Sequence, residues 1–420
     1  MVIKYKQENG LTVILEPIKE SVSVSVGMWI KAGSRDELEN QFGYAHFIEH
    51  MLFKGTKKYS AKDIASIVDR VGGQHNAATN REYTCYYINV VSDYLELAVH
   101  ILADMYRNSV FAEKEISREK NVIIEEIRMY EDTPDEFIHD LFVENMLAGH
   151  PLSHSILGSI DIIDSVNRKK LMSYYSRMYS DSNAIFVIAG NFDESDARRY
   201  IEQYLGDSVT TDSSARYLPA DQPSREMFCH SEKDLEQVHF CLGSGGIKRD
   251  DPDRWALYAL STILGGSMSS RLFQTIRERE GLSYSIYSFH SSYSDTGIFG
   301  IYCATVPDKF RRAVSLIMDE CRKIEKQGIT EEELQDARTY MIGNLALSME
   351  SIEVRMGQLA RNEITYGRHF GFNEIVEIIN NISLDDFHRI SHKLFHDTQV
   401  SLISVGNLNG FDISELDLHI

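Results

Sequence analysis

Residues 46–50 read His-Phe-Ile-Glu-His, two imidazoles four positions apart with a carboxylate just before the second. On a helix, positions i and i+4 lie on one face, one turn apart, so His46 and His50 can aim two ring nitrogens at one zinc ion. Glu49 is adjacent on that face, where a carboxylate can reach a water on the ion and act as general base. The flanks support a helix. Gly43 precedes it, Phe42, Phe47, Ile48, Met51, Leu52 and Phe53 supply apolar surface, and Gly55 can end it. With 15 histidines and 63 acidic residues in 420, chance gives at most about 0.08 such motifs in the chain. The competing reading is a pair of histidines on a partly buried helix, so the motif needs support from elsewhere.

A catalytic zinc takes three protein ligands and keeps a fourth position open. The best source of the third is the helical stretch EKEISREKNVIIEEIRMYED at 113–132, with an apolar set at Ile116, Val122, Ile123 and Ile127. Glu119 and Glu126 stand two turns apart along one face of it. A carboxylate there could close the site, with Glu119 behind it supporting a ligand. Spacing alone leaves Glu115, Glu119, Glu125 and Glu126 open.

These side chains must be held by larger elements, and an internal repeat shows which. Residues 163–191 and 379–407 align without gaps, Ile163 on Ile379, Met178 on Leu394, and Gly190–Asn191 on Gly406–Asn407. Each copy reads as an amphipathic helix, a turn and a buried strand. Strands recur upstream at 22–30 and 237–242, and at 83–91 and 297–305, each of the last two before a helical stretch. The chain therefore reads as α+β, two homologous duplicated domains, each a mostly antiparallel sheet flanked by helices. The boundaries are 1–208, a polar linker at 209–224, and 225–420. The repeat's offset of 216 carries the histidine motif onto Thr262, Gly265 and Gly266, so the second copy has lost any metal site.

Composition narrows the function. The formal charge of −20 and the absence of a basic block argue against nucleic-acid binding. Five scattered cysteines with no CxxC pair argue against a disulfide framework or a thiolate zinc site, and fit a reducing cytoplasm. Gln7, Glu8 and Asn9 come before any apolar run of signal-peptide length, and no run is long enough to span a membrane. No GxSxG elbow offers a serine nucleophile, which leaves hydrolysis by an activated water. The segment GGQHNAATNREYTCYYINV reads as a hairpin, with Gly72 and Gly73 allowing close backbone approach and His75 a lone histidine.

HFIEH within FGYAHFIEHMLFKGT, the Glu-rich helix, GGQHNAATNREYTCYY, RLFQTIRERE-GLSYSIYS and the duplication together resemble the pitrilysin–insulysin family, the inverted-zincin class that includes the mitochondrial processing peptidase. The resemblance covers essentially the whole chain. It implies a zinc-dependent endopeptidase with His46, His50 and Glu126 as ligands, Glu49 as general base and Glu119 supporting the ligands. It implies that Asn76 and Ala77 lie on an edge strand to which a substrate backbone adds, and that Arg277 and Tyr284 contact the substrate near the scissile carbonyl. Family members place the zinc domain and the Arg/Tyr domain in opposite halves of a four-domain clamshell. With two domains per chain, a homodimer sharing Arg277 and Tyr284 in trans is expected. The alternative is a catalytically idle scaffold on the same fold, whose relatives lose part of the zinc motif; here His46, Glu49, His50 and Glu126 are all present. A regulatory metal-binding protein would keep the ligands without needing Glu49.

Overall fold

The computed structural model describes residues 2–207, 227–395 and 400–420. The linker expected at 209–224 lies outside the described residues. The rest divides into two compact units, each built on one sheet.

The first sheet contains β1 (Ile3–Lys6), β2 (Thr12–Pro17), β3 (Ser23–Ile30), β4 (Gln74–Thr79), β5 (Thr84–Val91) and β6 (Ala184–Gly190). Their order is β1-β2-β6-β3-β5-β4. All pairs are antiparallel except β2 with β6. The second sheet contains β7 (Phe228–Glu232), β8 (Val238–Gly245), β9 (Ser283–Ser292), β10 (Gly297–Thr305) and β11 (Ser401–Gly406), in the order β7-β11-β8-β10-β9. Its one parallel pair is β7 with β11. Removing β1 makes the two orders identical, strand for strand.

The aligned repeat falls on the same elements in each unit. Helix Arg168–Met178 leads to β6, and helix Leu384–Phe395, 216 positions on, leads to β11. Both strands end on a glycine in the left-handed region, Gly190 at φ 124° and Gly406 at φ 134°. A Cβ at Gly190 would lie 2.3 Å from Ser23 O and one at Gly406 2.7 Å from Gln237 O, so the turn tolerates only glycine.

Strand alternation sends side chains to two buried faces. Phe186 and Ile188 of β6 join Val24, Val26 and Met28 of β3 in a core under helices Tyr44–Leu52 and Leu95–Asn108. Ile185, Val187 and Ala189 of β6, with Trp29, face the other way, against Met356, Leu359 and Ala360 of helix Ile352–Tyr366.

That helix comes from the far end of the chain, and here the structure departs from contiguous domains. The first unit takes the described parts of Met1–Met129, His154–Leu218 and Leu347–His369; the second takes Tyr130–Ser153, Pro219–Ala346 and Phe370–Ile420. Helix Pro134–Met146 correspondingly buries Ile138 and Phe142 against Cys241, Tyr302 and Ile403 of the second sheet. Each sheet has two apolar faces, and each half of the sequence supplies a helix to the other unit's second face. Among the described residues, no helix is long and apolar enough to cross a membrane.

Candidate metal centre

Helix Tyr44–Leu52 starts at Gly43, whose φ of 92° is left-handed. A Cβ there would meet Leu157 O at 2.6 Å, so only glycine lets the chain enter the helix at this point. Glycine brings no capping side chain, and the buried Glu37 carboxylate takes that role. It accepts from the N–H groups of Gly43 at 2.9 Å and Ala45 at 2.6 Å, which gives two donors at the helix start the partner they lack within the helix. Burial pushes the Glu37 carboxyl above its usual range, and the hydrogen bonds from His154 and the backbone oppose that rise. Phe47, Ile48, Met51 and Leu52 enter the core, which turns His46, Glu49 and His50 to the opposite face.

The third carboxylate comes from helix Glu113–Glu131. Ile116, Ile123 and Ile127 bury one side of it and Glu119 is buried with them, whereas Val122, expected in the apolar set, is 49% exposed. Of the four glutamates left open by spacing, the fold brings Glu126 to both histidines. His46 Nε2 lies 3.7 Å from Glu126 Oε1, and His50 Nε2 lies 3.6 Å from Oε2. The ligand atoms of the three residues fall within 4.8 Å of one another, the one such group among the described residues. Ligands about 2.0–2.1 Å from a tetrahedral zinc stand about 3.3 Å apart, so the observed spacings fit such an ion after a small inward adjustment.

The surroundings prepare the donors. Burial lowers His46 to about 3, with the His50 charge adding to it, so the ring is neutral and offers a lone pair. His50 Nδ1 lies 3.1 Å from Glu119 Oε2, and Lys54 Nζ lies 2.8 Å from Glu119 Oε1. Burial alone would raise Glu119, but the hydrogen bonds and charges of His50 and Lys54 outweigh it and leave the carboxyl below its usual range. An ionised Glu119 holds the His50 proton on Nδ1 and frees Nε2 for an ion. Glu49 does not join the ligand group. Its Oε2 accepts from Thr79 Oγ1 at 2.5 Å. Burial pushes its carboxyl up, against the pull of Thr79 and His50.

Asn76 and Ala77 lie on β4, the edge strand, and line a cleft of about 420 Å³ with Glu49, His50, Phe53 and His75. His75 stays outside the ligand group and packs on Phe53, ring centroids 5.5 Å apart. Arg277 and Tyr284 belong to the second unit. Arg277 sits in a π-helical segment, Phe273–Arg279, and its guanidinium lies 4.3 Å from the centre of the Tyr284 ring, which is 78% exposed. The turn thus brings together two residues that the sequence separates by seven. Thr262, Gly265 and Gly266 lie on or just after helix Arg254–Gly265 and offer no ligand group. Lys54 and Thr79 were not legible as site residues, because each acts through a partner distant in sequence, and Glu37 was not because it reaches the helix start only through the intervening turns.

Comparison with known proteins gives a consistent result. Residues 12–160 match the family described as Insulinase (Peptidase family M16), and residues 165–341 match the one described as Peptidase M16 inactive domain. "Uncharacterized zinc protease YmxG" of Bacillus subtilis (strain 168) is 38% identical over 408 residues, covering 96% of this chain and 98% of its own. An "Uncharacterized zinc protease" of Rickettsia bellii (strain RML369-C) is 36% identical over 408 residues, 97% of this chain and 98% of its own. Among solved structures, a protease from Helicobacter pylori superimposes with a TM-score of 0.91 at 24% identity, covering 96% of this chain and 99% of that one. A peptidase M16 inactive domain from Pseudomonas fluorescens gives 0.89 at 21% identity, covering 97% and 98%. These two structural matches establish the shared fold.

Proposed function

This chain belongs to peptidase family M16, the insulinase family, and from that premise we propose that it is a zinc-dependent endopeptidase acting on peptides or unfolded segments. The observation that carries the reading is the convergence of His46, His50 and Glu126 beside Glu49. His46 and His50 would hold one zinc per chain through imidazole nitrogens, Glu126 through its carboxylate, and Glu119 would orient His50. A bound zinc supplies Lewis acidity toward the scissile carbonyl and lowers the pKa of an attacking water. Glu49, with Oε2 held by Thr79, keeps Oε1 to take the water proton and pass it to the leaving amine. Its burial raises its basicity, which suits that task.

An extended substrate would add its backbone to β4 at Asn76 and Ala77, since among the described residues that strand is paired on one edge only. Arg277 and Tyr284 would donate to the developing oxyanion. Because they belong to the second unit, we further propose a homodimer in which they serve the partner's zinc. Five free cysteines support a cytoplasmic location. The idle-scaffold reading draws on the description of the family model matched at 165–341. That region lies wholly outside the ligand group, which is complete.

The test combines metal analysis with a peptide-library digest. Wild-type protein should hold about one zinc per chain and cleave in a chelator-sensitive way, and Glu49→Gln should keep the zinc and lose cleavage by roughly 100-fold or more. Zinc-loaded wild type that cleaves no peptide would favour the scaffold. For sharing in trans, Glu49→Gln chains mixed with Arg277→Ala chains should recover activity above either parent. No recovery under conditions that exchange subunits would count against it.

A further inference from the structure

Arg277 rides on a turn and Tyr284 on a strand, and both elements are pinned. The π-helical turn Phe273–Arg279 is anchored by Leu272 and Ile276, both fully buried. Just before it, the Arg271 guanidinium donates twice to Glu333, at 2.7 and 2.9 Å. Turns of this kind are rare and recur at functional sites. Leu282 N–H donates to Ile276 O at 2.9 Å and ties the turn to β9. There Ser283 pairs with Thr305 and Ser285 with Ala304, so Tyr284 is the extra residue of a bulge, a device that re-aims a side chain. The buried Ser283 hydroxyl lies 2.7 Å from both Ser285 O and Ala304 O and accepts from Ser285 N–H at 3.1 Å, which closes the bulge behind Tyr284. Arg277 itself makes no hydrogen bond among the described residues; a Glu278 carboxylate oxygen stands 3.7 Å from its Nε. Its guanidinium carbon instead lies over two aromatic rings, 4.7 Å from the centre of Phe273 and 4.3 Å from that of Tyr284.

We propose that Phe273 is a positioning residue for Arg277: its ring, with that of Tyr284, holds the flat guanidinium by its face and leaves the N–H edge to meet an acceptor. The inference rests on the reading above in which Arg277 donates to the oxyanion. An unpaired arginine has wide rotamer freedom, and each substrate bond it makes must overcome that. A carboxylate partner inside the protein would fix the side chain but would occupy the N–H groups that the substrate needs. A ring attracts the cation through its quadrupole and takes up no donor. Phe273 stands four residues before Arg277, one turn away on the same side of the segment. Tyr284 is 78% exposed, and its hydroxyl has an acceptor of its own to meet. Phe273 offers a ring alone and has no competing task. The π turn and the bulge thus serve one end, which is to bring two rings to one cation before substrate arrives.

Two measurements test this on the full-length, zinc-loaded protein. The first is a double-mutant cycle with a quenched peptide. Phe273→Leu keeps an apolar side chain and removes the ring face. It should lower kcat about 3- to 10-fold with zinc content kept, and Phe273→Tyr should keep most of the wild-type rate. In an Arg277→Ala background, Phe273→Leu should cost nothing further, because Phe273 acts through the guanidinium. The second measurement needs no turnover. In peptide-free protein with nitrogen-labelled arginine, the Arg277 Nε–H signal is assigned by its loss in Arg277→Lys. Shielding by the rings should place it upfield of exposed arginines in wild type and in Phe273→Tyr, and it should move toward them in Phe273→Leu. The proposal is overturned if Phe273→Leu keeps kcat within about twofold, if it lowers kcat equally in Arg277→Ala, or if Phe273→Tyr is as impaired as Phe273→Leu. A wild-type Arg277 signal that coincides with those of exposed arginines overturns it as well. Should Phe273→Leu fail to fold, the wild-type signal decides. Should wild type cleave nothing, the peptidase reading fails, and the signal judges the ring contact separately.

Discussion

At the scale of single residues, the site is a chain of paired charges ending at the ligand face. Lys54 holds Glu119, and Glu119 holds the His50 ring through Nδ1. Outer partners of this kind typically change metal affinity about 10- to 100-fold when removed, and Lys54→Met should weaken zinc binding by that order in a chelator competition. The same variant should alter acid stability in metal-free protein. Glu119 is held below its usual carboxylate range, so its contribution is present above its unfolded pKa and lost as pH falls through the folded value. His46 acts in the same direction. It stays neutral when folded, down to about 3, while the unfolded chain takes up a proton below its ordinary value. Thermal midpoints should therefore fall on acidification. In Lys54→Met the part due to Glu119 should shrink, leaving a shallower slope. An unchanged slope would show that Lys54 does not hold Glu119 ionised.

At the scale of elements, the motif helix is aimed from its first turn. Gly43 enters it at φ 92°, and Glu37 caps it through Gly43 and Ala45. Gly43→Ala combines a strained φ with a Cβ 2.6 Å from Leu157 O. Such a change costs on the order of 1–3 kcal/mol and should shift the helix that carries His46 and His50. The expected outcome is a lower thermal midpoint with reduced zinc content. Full zinc occupancy at wild-type stability would show that this entry does not aim the ligands. The helix itself is legible from the period of Phe47, Ile48, Met51 and Leu52, but its cap is not. Glu37 lies six residues before Gly43 and reaches it only through the intervening turns.

At the scale of the whole chain, each sheet draws one covering helix from the other half of the sequence. Helix Ile352–Tyr366 covers Trp29, Ile185, Val187 and Ala189, and helix Pro134–Met146 covers Cys241, Tyr302 and Ile403. A fragment of residues 1–207 would leave the first of these faces bare, and each large side chain so exposed forfeits about 1.5–3 kcal/mol. That fragment, made alone, should bind a hydrophobic dye and lack a cooperative thermal transition. Co-expression with 227–420 should restore both zinc binding and cooperativity. An isolated fragment that folds cooperatively would show that the exchanged helix is dispensable.

The sequence by itself determined the two-histidine face, the carboxylate-bearing helix and the twofold repeat, because each follows from periodicities that local backbone geometry imposes. His46 and His50 must share a face if the helix forms, and the repeat at 163–191 and 379–407 must form like elements. Tertiary structure alone decided the rest. It brought Glu126, which spacing left level with Glu115, Glu119 and Glu125 and only the family resemblance singled out, to both histidines, put Thr79 on Glu49 and Lys54 on Glu119, and sent two helices to the opposite units. Those outcomes depend on which apolar faces bury against each other across long stretches of chain, and spacing along the sequence carries no record of that competition.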